Sequence, residues 1–312
     1  MRGGWHSGTL SAKSTRAGGH PADPYAGPVS DFTEVADRVW VARYDWFDVN
    51  VSVVAGAGGL VVVDTNASDR AARTVLADLR RLSPAPLLAA VNTHVHFDHT
   101  FGNRVLAAEG AELIAHEDAA AALPSHAAEI RSQAATGEDA RNAELVATEV
   151  AVPTRTFSSA LALDLGDRVV ELVHPGRGHT DGDLVVRVPD ADVVLAGDLV
   201  EESTARDGVP GFGGDCYPMD WPTTLDLVLS LVGPGTVVLP GHGSPVDRDF
   251  VQEQRSAIGV VAETIRDLAG RGVPLDQALA AAEWPYPREA LADAVRRGYE
   301  HLPRAQKRLP LI

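Results

Sequence analysis

Four side chains that can bind a metal ion lie within six consecutive residues of this 312-residue chain. They are His94, His96, Asp98 and His99, in the segment HVHFDH. His94 and His96 are two residues apart after the apolar run Leu87–Asn92, and alternate residues of an extended chain project to the same side. Imidazole nitrogens and carboxylate oxygens are ligands that zinc and related divalent metals take. The spacing therefore predicts a metal site at the end of a buried strand.

Three further His or Asp residues stand beside glycine at the ends of predicted strands. They are His179 in GHTDGD, Asp198 in AGDLV and His242 in PGHG. Glycine lets the backbone turn sharply and removes side-chain bulk near a ligand. Each short motif is weak evidence alone, but three of them in similar positions strengthen the prediction of a metal protein.

The four segments HVHFDH, GHTDGD, AGDLV and PGHG, in this order, resemble the motif blocks of the metallo-β-lactamase-fold hydrolases. The resemblance runs from around residue 38 to residue 250. It implies an α/β fold, a four-layer αββα sandwich, with metal ions at one edge. Carried over by position, it implies a first metal ion held by His94, His96 and His179, a second held by Asp98, His99 and His242, and Asp198 bridging both.

Asp198 also bears on the branch of the family that the chain resembles. The well-known β-lactamases of this fold generally lack an aspartate at the bridging position, whereas glyoxalase II, lactonases and esterases or thioesterases have one. We therefore expect a hydrolase in which a hydroxide shared by two metal ions attacks the carbonyl of an ester, thioester, lactone or lactam. Zinc is the expected metal, with iron or manganese as alternatives. Asp98, which also orients or deprotonates the water, is the candidate catalytic residue.

Three other classes of protein remain open. A persulfide dioxygenase-like oxidoreductase with one iron resembles the same fold but uses fewer of these ligands, so the full set of seven favours two metals. A nuclease of this fold is disfavoured by the charge of the chain. A non-catalytic binding protein has little need for a complete ligand set.

The chain is predicted to have three parts. Residues 1–30, rich in Gly, Ser and Pro, are expected to form a flexible tail. Residues 31–250 are expected to form the catalytic domain, and 251–312 a helical C-terminal extension packed on it. Apolar periodicity predicts a helix at Asp69–Leu82, with Asp64 and the residues after it as helix caps.

Composition limits the partners. The formal net charge of −16 disfavours binding to nucleic acid or to anionic membrane surfaces, and no apolar run is long enough to span a membrane. We expect a small-molecule substrate. The single cysteine, Cys216, excludes an internal disulfide and fits a cytoplasmic protein. A homodimer formed through the predicted helical tail stays an alternative.

Several residues near these motifs have no assigned role. Arg177 is a candidate for binding a substrate carboxylate, and Tyr217 for donating a hydrogen bond to an oxyanion. The glycine-rich loop Gly208–Pro218 is a candidate lid, and its Cys216 has no obvious base beside it. No motif indicates how residues 117–160 shape the substrate pocket. The isolated histidines, among them His126, are expected to be structural.

Overall fold

The computed structural model describes residues 32–139, 141–203, 205 and 207–303, so the predicted tail at 1–30 lies outside the described residues. Within them the chain forms strands β1 (Thr33–Ala36), β2 (Val39–Tyr44), β3 (Val49–Gly56), β4 (Gly59–Val63), β5 (Leu87–Val91), β6 (Glu112–His116), β7 (Arg155–Phe157), β8 (Ala160–Asp164), β9 (Val169–Val173), β10 (Val185–Val188), β11 (Val193–Glu201) and β12 (Val237–His242). The helices are α1 (Asp69–Leu82), α2 (Phe97–Thr100), α3 (Asn103–Ala108), α4 (Glu117–Ala134), α5 (Asn142–Ala147), α6 (Trp221–Leu231), α7 (Arg248–Gly270), α8 (Leu275–Ala278) and α9 (Ala292–His301).

The strands form two half-sheets that meet at one seam. The hydrogen-bonded order is β7-β6-β5-β4-β3 and then β12-β11-β10-β9-β8, with β1 and β2 attached to β3. β3 and β12 are joined through the single pair Val49 and His242. Apolar side chains from both halves, such as Val61 and Leu195, share one buried cluster between them. The predicted αββα sandwich is therefore confirmed, with its seam beside one of the predicted metal ligands.

One outer layer covers the half-sheet that leads to HVHFDH. The buried face of α1 includes Val75 and Leu79, which pack in one cluster with residues of β3, β4 and β5. The helix has the predicted bounds, but its cap is different. The Ser68 side chain accepts a hydrogen bond from the Ala71 N–H, whereas Asp64 was the expected cap residue. Asp64 instead points toward the motif residues, as described below.

The other outer layer is formed by α6, α7 and α9. Residues of α7 and α9, including Ile258, Ile265 and Val295, are buried in one cluster with Val185 and Val194 of the sheet. α7 begins at Arg248, just before the predicted boundary at 250 and 251. The three-part division of the chain stays a prediction, but the C-terminal helices share a core with the second half-sheet.

Several elements differ from the sequence expectation. Apolar spacing predicts a helix over residues 101–109, and α3 lies within that range, whereas the one-turn helix α2 before it has no counterpart in the prediction. Gly102, between the two helices, lies against the chain at Thr65: a Cβ added there would be 1.9 Å from the Thr65 carbonyl oxygen. The short strands β1, β7 and β8 were not predicted, since they are largely half-buried or exposed and have no clear apolar period. Among the described helices, none has the length and apolar character needed to cross a membrane.

Candidate metal centre

The seven candidate ligands come from four separate segments of the chain. β5 ends at Val91, so His94 and His96 lie in the loop that follows it rather than on the strand itself. Asp98 and His99 lie in the one-turn helix α2. The other three are His179 in the loop between β9 and β10, Asp198 inside β11, and His242 at the last position of β12.

These side chains converge into two adjoining clusters. In each cluster, every residue offers one donor atom and these atoms lie within 4.8 Å of one another. The first cluster is His94, His96, His179 and Asp198; the second cluster is Asp98, His99 and His242. All seven are buried except His96, which is partly exposed. The structure therefore brings together every residue that the motifs predicted.

Asp198 lies between the two clusters. Its Oδ2 is 3.5 Å from His179 Nε2 in the first cluster and 3.1 Å from His242 Nε2 in the second. Its Oδ1 is 3.3 Å from His99 Nε2. One carboxylate therefore touches imidazoles of both clusters, which is the arrangement that a bridging ligand needs.

The donor set fits divalent cations. His94 Nε2 is buried and has no hydrogen-bond partner among the described residues, and buried polar atoms are rarely left so. Burial lowers the pKa of His94 well below its usual value, and His99 lowers it further. Burial acts to raise the pKa of Asp198, but His242, His99 and His94 outweigh it and hold this pKa well below its usual range. A neutral imidazole and an ionised carboxylate are the protonation states that metal ligation requires.

Three carboxylates also surround His99 and give its environment an excess of negative charge. Burial acts to lower the pKa of His99, but Asp198, Asp98 and Asp64 together raise it to about 10. The carboxylates therefore favour a positive charge at this point, and a bound cation is one way to supply it.

Two glycines allow the close approach of these segments. Gly197 has a φ of 53°, and a Cβ there would lie 2.7 Å from the Thr93 side chain. At Gly241 a Cβ would lie 1.9 Å from Asp198 Oδ1. The glycines that flank the motif residues are thus needed for space, and Gly197 also for its backbone conformation.

Residues next to the strands form hydrogen bonds to the outer nitrogens of the two second-cluster imidazoles. Asp64, just after β4, accepts from His99 Nδ1 at 2.8 Å and also from the backbone and hydroxyl of Thr93. His242 Nδ1 donates to the Phe47 carbonyl at 2.9 Å, in the turn between β2 and β3. In both imidazoles Nε2 is left facing the cluster. The sequence interpretation missed this role of Asp64, although its position at the end of a buried strand parallel to β5 was a signal.

A different segment supports the first cluster. The 207–220 loop places the Gly211 carbonyl 2.8 Å from His179 Nδ1 and the Asp215 carboxylate 3.0 Å from His96 Nε2. His94 Nδ1 lies 3.0 Å from the Thr93 hydroxyl. Asp215 is not among the predicted site residues; the sequence singles out the glycine-rich loop as a candidate lid and its Tyr217 as a candidate oxyanion donor.

The residues left without a role now have defined surroundings. Arg177 pairs with Asp220 at 2.7 Å and lies over the ring of Tyr217, so both are engaged with protein groups. Cys216 is fully buried, and burial raises the pKa of its thiol far above the usual value, which removes it as a nucleophile. His126 of α4 stacks on His96 with ring centroids 5.2 Å apart, a contact that the sequence did not predict.

The chain belongs to the metallo-beta-lactamase superfamily. The family model for that superfamily matches residues 44–242, more than half of the chain and a span that contains all seven candidate ligands.

Individual relatives carry several different names. The chain is 27% identical over 202 residues to a metallo-beta-lactamase type 2 of Bacillus cereus, covering 65% of this chain and 70% of the relative. It is 29% identical over 231 residues to the human acyl-coenzyme A thioesterase MBLAC2, covering 68% and 75%. It is 26% identical over 259 residues to a linear primary-alkylsulfatase of Pseudomonas, covering 73% of this chain and 48% of that protein.

Solved structures agree on the fold. A metallo-beta-lactamase from Pontibacter korlensis superposes with a TM-score of 0.60 at 22% identity, covering 74% of this chain and 99% of that one. At this identity the likeness establishes the fold alone. The family, its hydrolytic relatives and the His and Asp clusters together support a metal-dependent hydrolase.

Proposed function

We propose that the chain hydrolyses a carbonyl substrate, an ester, thioester, lactone or lactam, with two divalent cations, zinc in the first place. The observation that carries the proposal is the position of Asp198, whose carboxylate contacts histidines of both clusters. A centre with one cation has no need of two complete donor sets joined by a carboxylate. This distinguishes the proposal from a dioxygenase-like centre with one iron.

Each protein group then has a defined task. His94, His96 and His179 hold one cation, Asp98, His99 and His242 hold the other, and Asp198 lies between them. When bound, a pair of divalent cations lowers the pKa of a shared water and polarises a substrate carbonyl. Asp98 Oδ2 is 3.5 Å from His242 Nε2 and 3.6 Å from His99 Nε2, so the Asp98 carboxylate lies beside the second cation position and can accept a proton from the attacking water.

The surroundings of the second cluster favour a substrate with an apolar part. The ring of Phe47 is 37% exposed and meets the ring of Phe97 edge-on at 4.8 Å. Trp46 packs against Phe47 at 4.9 Å. Because Phe97 directly precedes Asp98, this aromatic surface borders the proposed reaction centre and can cover an acyl chain. Acyl thioesters and hydrophobic esters are therefore the first substrates to test.

The chemistry is tested by metal analysis and by a substrate panel. Purified chain, stripped with a chelator, is reloaded separately with Zn²⁺, Mn²⁺ and Fe²⁺ and assayed on chromogenic esters, thioesters, lactones and a cephalosporin. We expect two zinc ions per chain and hydrolysis of at least one acyl substrate that the stripped protein does not support. Stoichiometric binding of one iron, with oxygen consumption and no hydrolysis, would instead support the dioxygenase-like alternative.

The aspartate at position 198 predicts which substrates of that panel are hydrolysed fastest. If the chain belongs with the branches that have a bridging aspartate, thioesters and esters are turned over faster than the cephalosporin. A cephalosporin as the best substrate would contradict this part of the proposal while leaving the metal-dependent hydrolysis intact.

A further inference from the structure

The 207–220 loop connects a histidine pair to a part of the chain outside the family match. The match ends at His242, whereas the loop packs against α9 at 292–301. On its inner side the loop contacts His179 and His96 through Gly211 and Asp215.

His96 has one nitrogen for the cluster and one for the loop. Its Nδ1 is 2.8 Å from His179 Nε2 and so faces the first cluster, whereas its Nε2 is 3.0 Å from Asp215 Oδ2. A carboxylate accepts hydrogen bonds only, so it selects the tautomer with hydrogen on Nε2 and a lone pair on Nδ1. That lone pair is what a metal ligand must offer.

His96 also needs this contact more than its neighbours do. The side chain of His96 is 18% exposed, whereas those of His94 and His179 are almost fully buried. Solvent therefore reaches the His96 ring more than the other two first-cluster imidazoles, although His126 stacks on it.

Asp215 is itself fixed by α9. Arg297 Nε donates to the Cys216 carbonyl at 3.0 Å, and its Nη2 lies 3.5 Å from the Asp215 carbonyl. The neighbouring Arg296 donates to the Gly214 carbonyl at 3.2 Å. The buried Cys216 side chain anchors the same stretch in the core that holds α6, α7 and α9.

The opposite end of this stretch is held by aromatic and cationic contacts. Tyr217 stacks on His301 with ring centroids 4.7 Å apart and lies under Arg297 at 5.0 Å. Its backbone N–H donates to the Gly178 carbonyl at 2.7 Å, next to His179. Loop and α9 therefore contact each other on both sides of Asp215, so that a shift of the helix would move the carboxylate.

We propose that Asp215 is a positioning residue for His96 and that α9, through Arg297, holds Asp215 in place, so that the C-terminal helix is part of the metal centre. This proposal rests on the proposed metal site of the first cluster. It assigns to the C-terminal region a role beyond packing on the sandwich.

The test measures metal affinity rather than turnover. Stripped full-length chain is titrated with Zn²⁺ in competition with a chromophoric chelator, which resolves two affinities. In Asp215→Ala we expect one of the two affinities to fall by about 10- to 100-fold, as for other outer partners of metal-binding histidines. Asp215→Asn, which keeps an acceptor oxygen, should lie between wild type and Asp215→Ala. A control, Asp226→Ala, removes an exposed acid that pairs with Arg255 on the surface and should change neither affinity.

The helix is tested with a second pair of variants. Arg297→Ala should weaken the same affinity as Asp215→Ala, by a smaller factor because the carboxylate remains. The control Arg271→Ala removes an arginine whose exposed partner is Asp267 on α7. If both residues act along one path, the double variant of Asp215 and Arg297 binds no more weakly than Asp215→Ala alone. The absorption of the Co²⁺-loaded protein provides a second readout of ligand geometry and should shift in Asp215→Ala.

The outcomes separate this proposal from the one it rests on. A wild-type chain that binds no divalent metal would overturn the proposed function. Two unchanged affinities in Asp215→Ala and Asp215→Asn, with wild-type metal binding intact, would overturn the positioning role alone. Additive losses in the double variant would overturn the path through Arg297.

Discussion

The two clusters of the metal centre receive their outer hydrogen bonds from different kinds of chain segment. The second cluster takes its outer hydrogen bonds from residues next to paired strands: Asp64 follows β4, and Phe47 lies in the short turn between β2 and β3. The first cluster takes two of its outer hydrogen bonds from the 207–220 loop, through Gly211 and Asp215. One half is therefore supported by residues that directly adjoin paired strands, and the other depends on a longer loop that contacts α9.

This difference has a physical consequence. Strand backbones at the seam open only together with the sandwich, whereas a loop can rearrange at a smaller free-energy cost. We expect changes at the second cluster to affect both chemistry and folding, and changes around the first cluster to affect metal affinity with little effect on folding.

Asp98→Ala is expected to have the largest effect. It removes a second-cluster carboxylate beside the proposed attacking water, and loss of a group that transfers a proton lowers turnover by about 10²–10⁴-fold. The first cluster keeps all four of its donors, so part of the metal should stay bound. Steady-state rates and metal content per chain are measured together; near-wild-type activity would contradict the assignment of Asp98.

Asp64→Ala is expected to have the largest effect on folding. Asp64 is buried and accepts from Thr93 N–H, the Thr93 hydroxyl and His99 Nδ1, so its loss should lower the free energy of unfolding by about 3 kcal/mol. Asp64 also has a φ of 63°, which alanine tolerates poorly. Asp64→Asn, which keeps this conformation and one acceptor, is the matched variant and should lose less.

Asp215→Ala is expected to give the contrasting result when urea denaturation of the metal-free chain measures the free energy of unfolding of both the Asp64 and the Asp215 variants. The Asp215 side chain is 46% exposed, and we expect its loss to change the free energy of unfolding of the metal-free chain by no more than about 0.5 kcal/mol. If Asp215→Ala destabilised the metal-free chain as much as Asp64→Ala, the two halves would not differ in the way proposed.

Thr93→Val is expected to have an intermediate effect on folding and the smallest effect on chemistry. The Thr93 hydroxyl donates to Asp64 at 2.8 Å and lies 3.0 Å from His94 Nδ1, so it joins the support of both clusters. Its removal should lower the free energy of unfolding by about 1–2 kcal/mol, while the backbone donor to Asp64 remains. Thr136→Val, at an exposed turn, is the control; equal losses in both would remove Thr93 from this role.

Much of the centre could be predicted because its motifs are local. Four candidate ligands within six residues needed no knowledge of distant contacts, and glycine beside His179, Asp198 and His242 marked three further close approaches. The αββα fold followed from the family resemblance, and the bounds of α1 from its apolar period. These features depend on chemistry that neighbouring residues carry in their own types and spacing.

The candidate donors and the sandwich that carries them can thus be predicted from the sequence and its family resemblance. Which groups hydrogen-bond the outer sides of those donors depends on how the chain packs. Asp64 is 35 residues from His99 and Asp215 is 119 residues from His96, and neither pair has a local pattern that predicts its contact. The reason is that an outer hydrogen bond needs only an acceptor at the right place, which many residue types and many loops can supply. Its position is set by how the half-sheets, the 207–220 loop and α9 pack together.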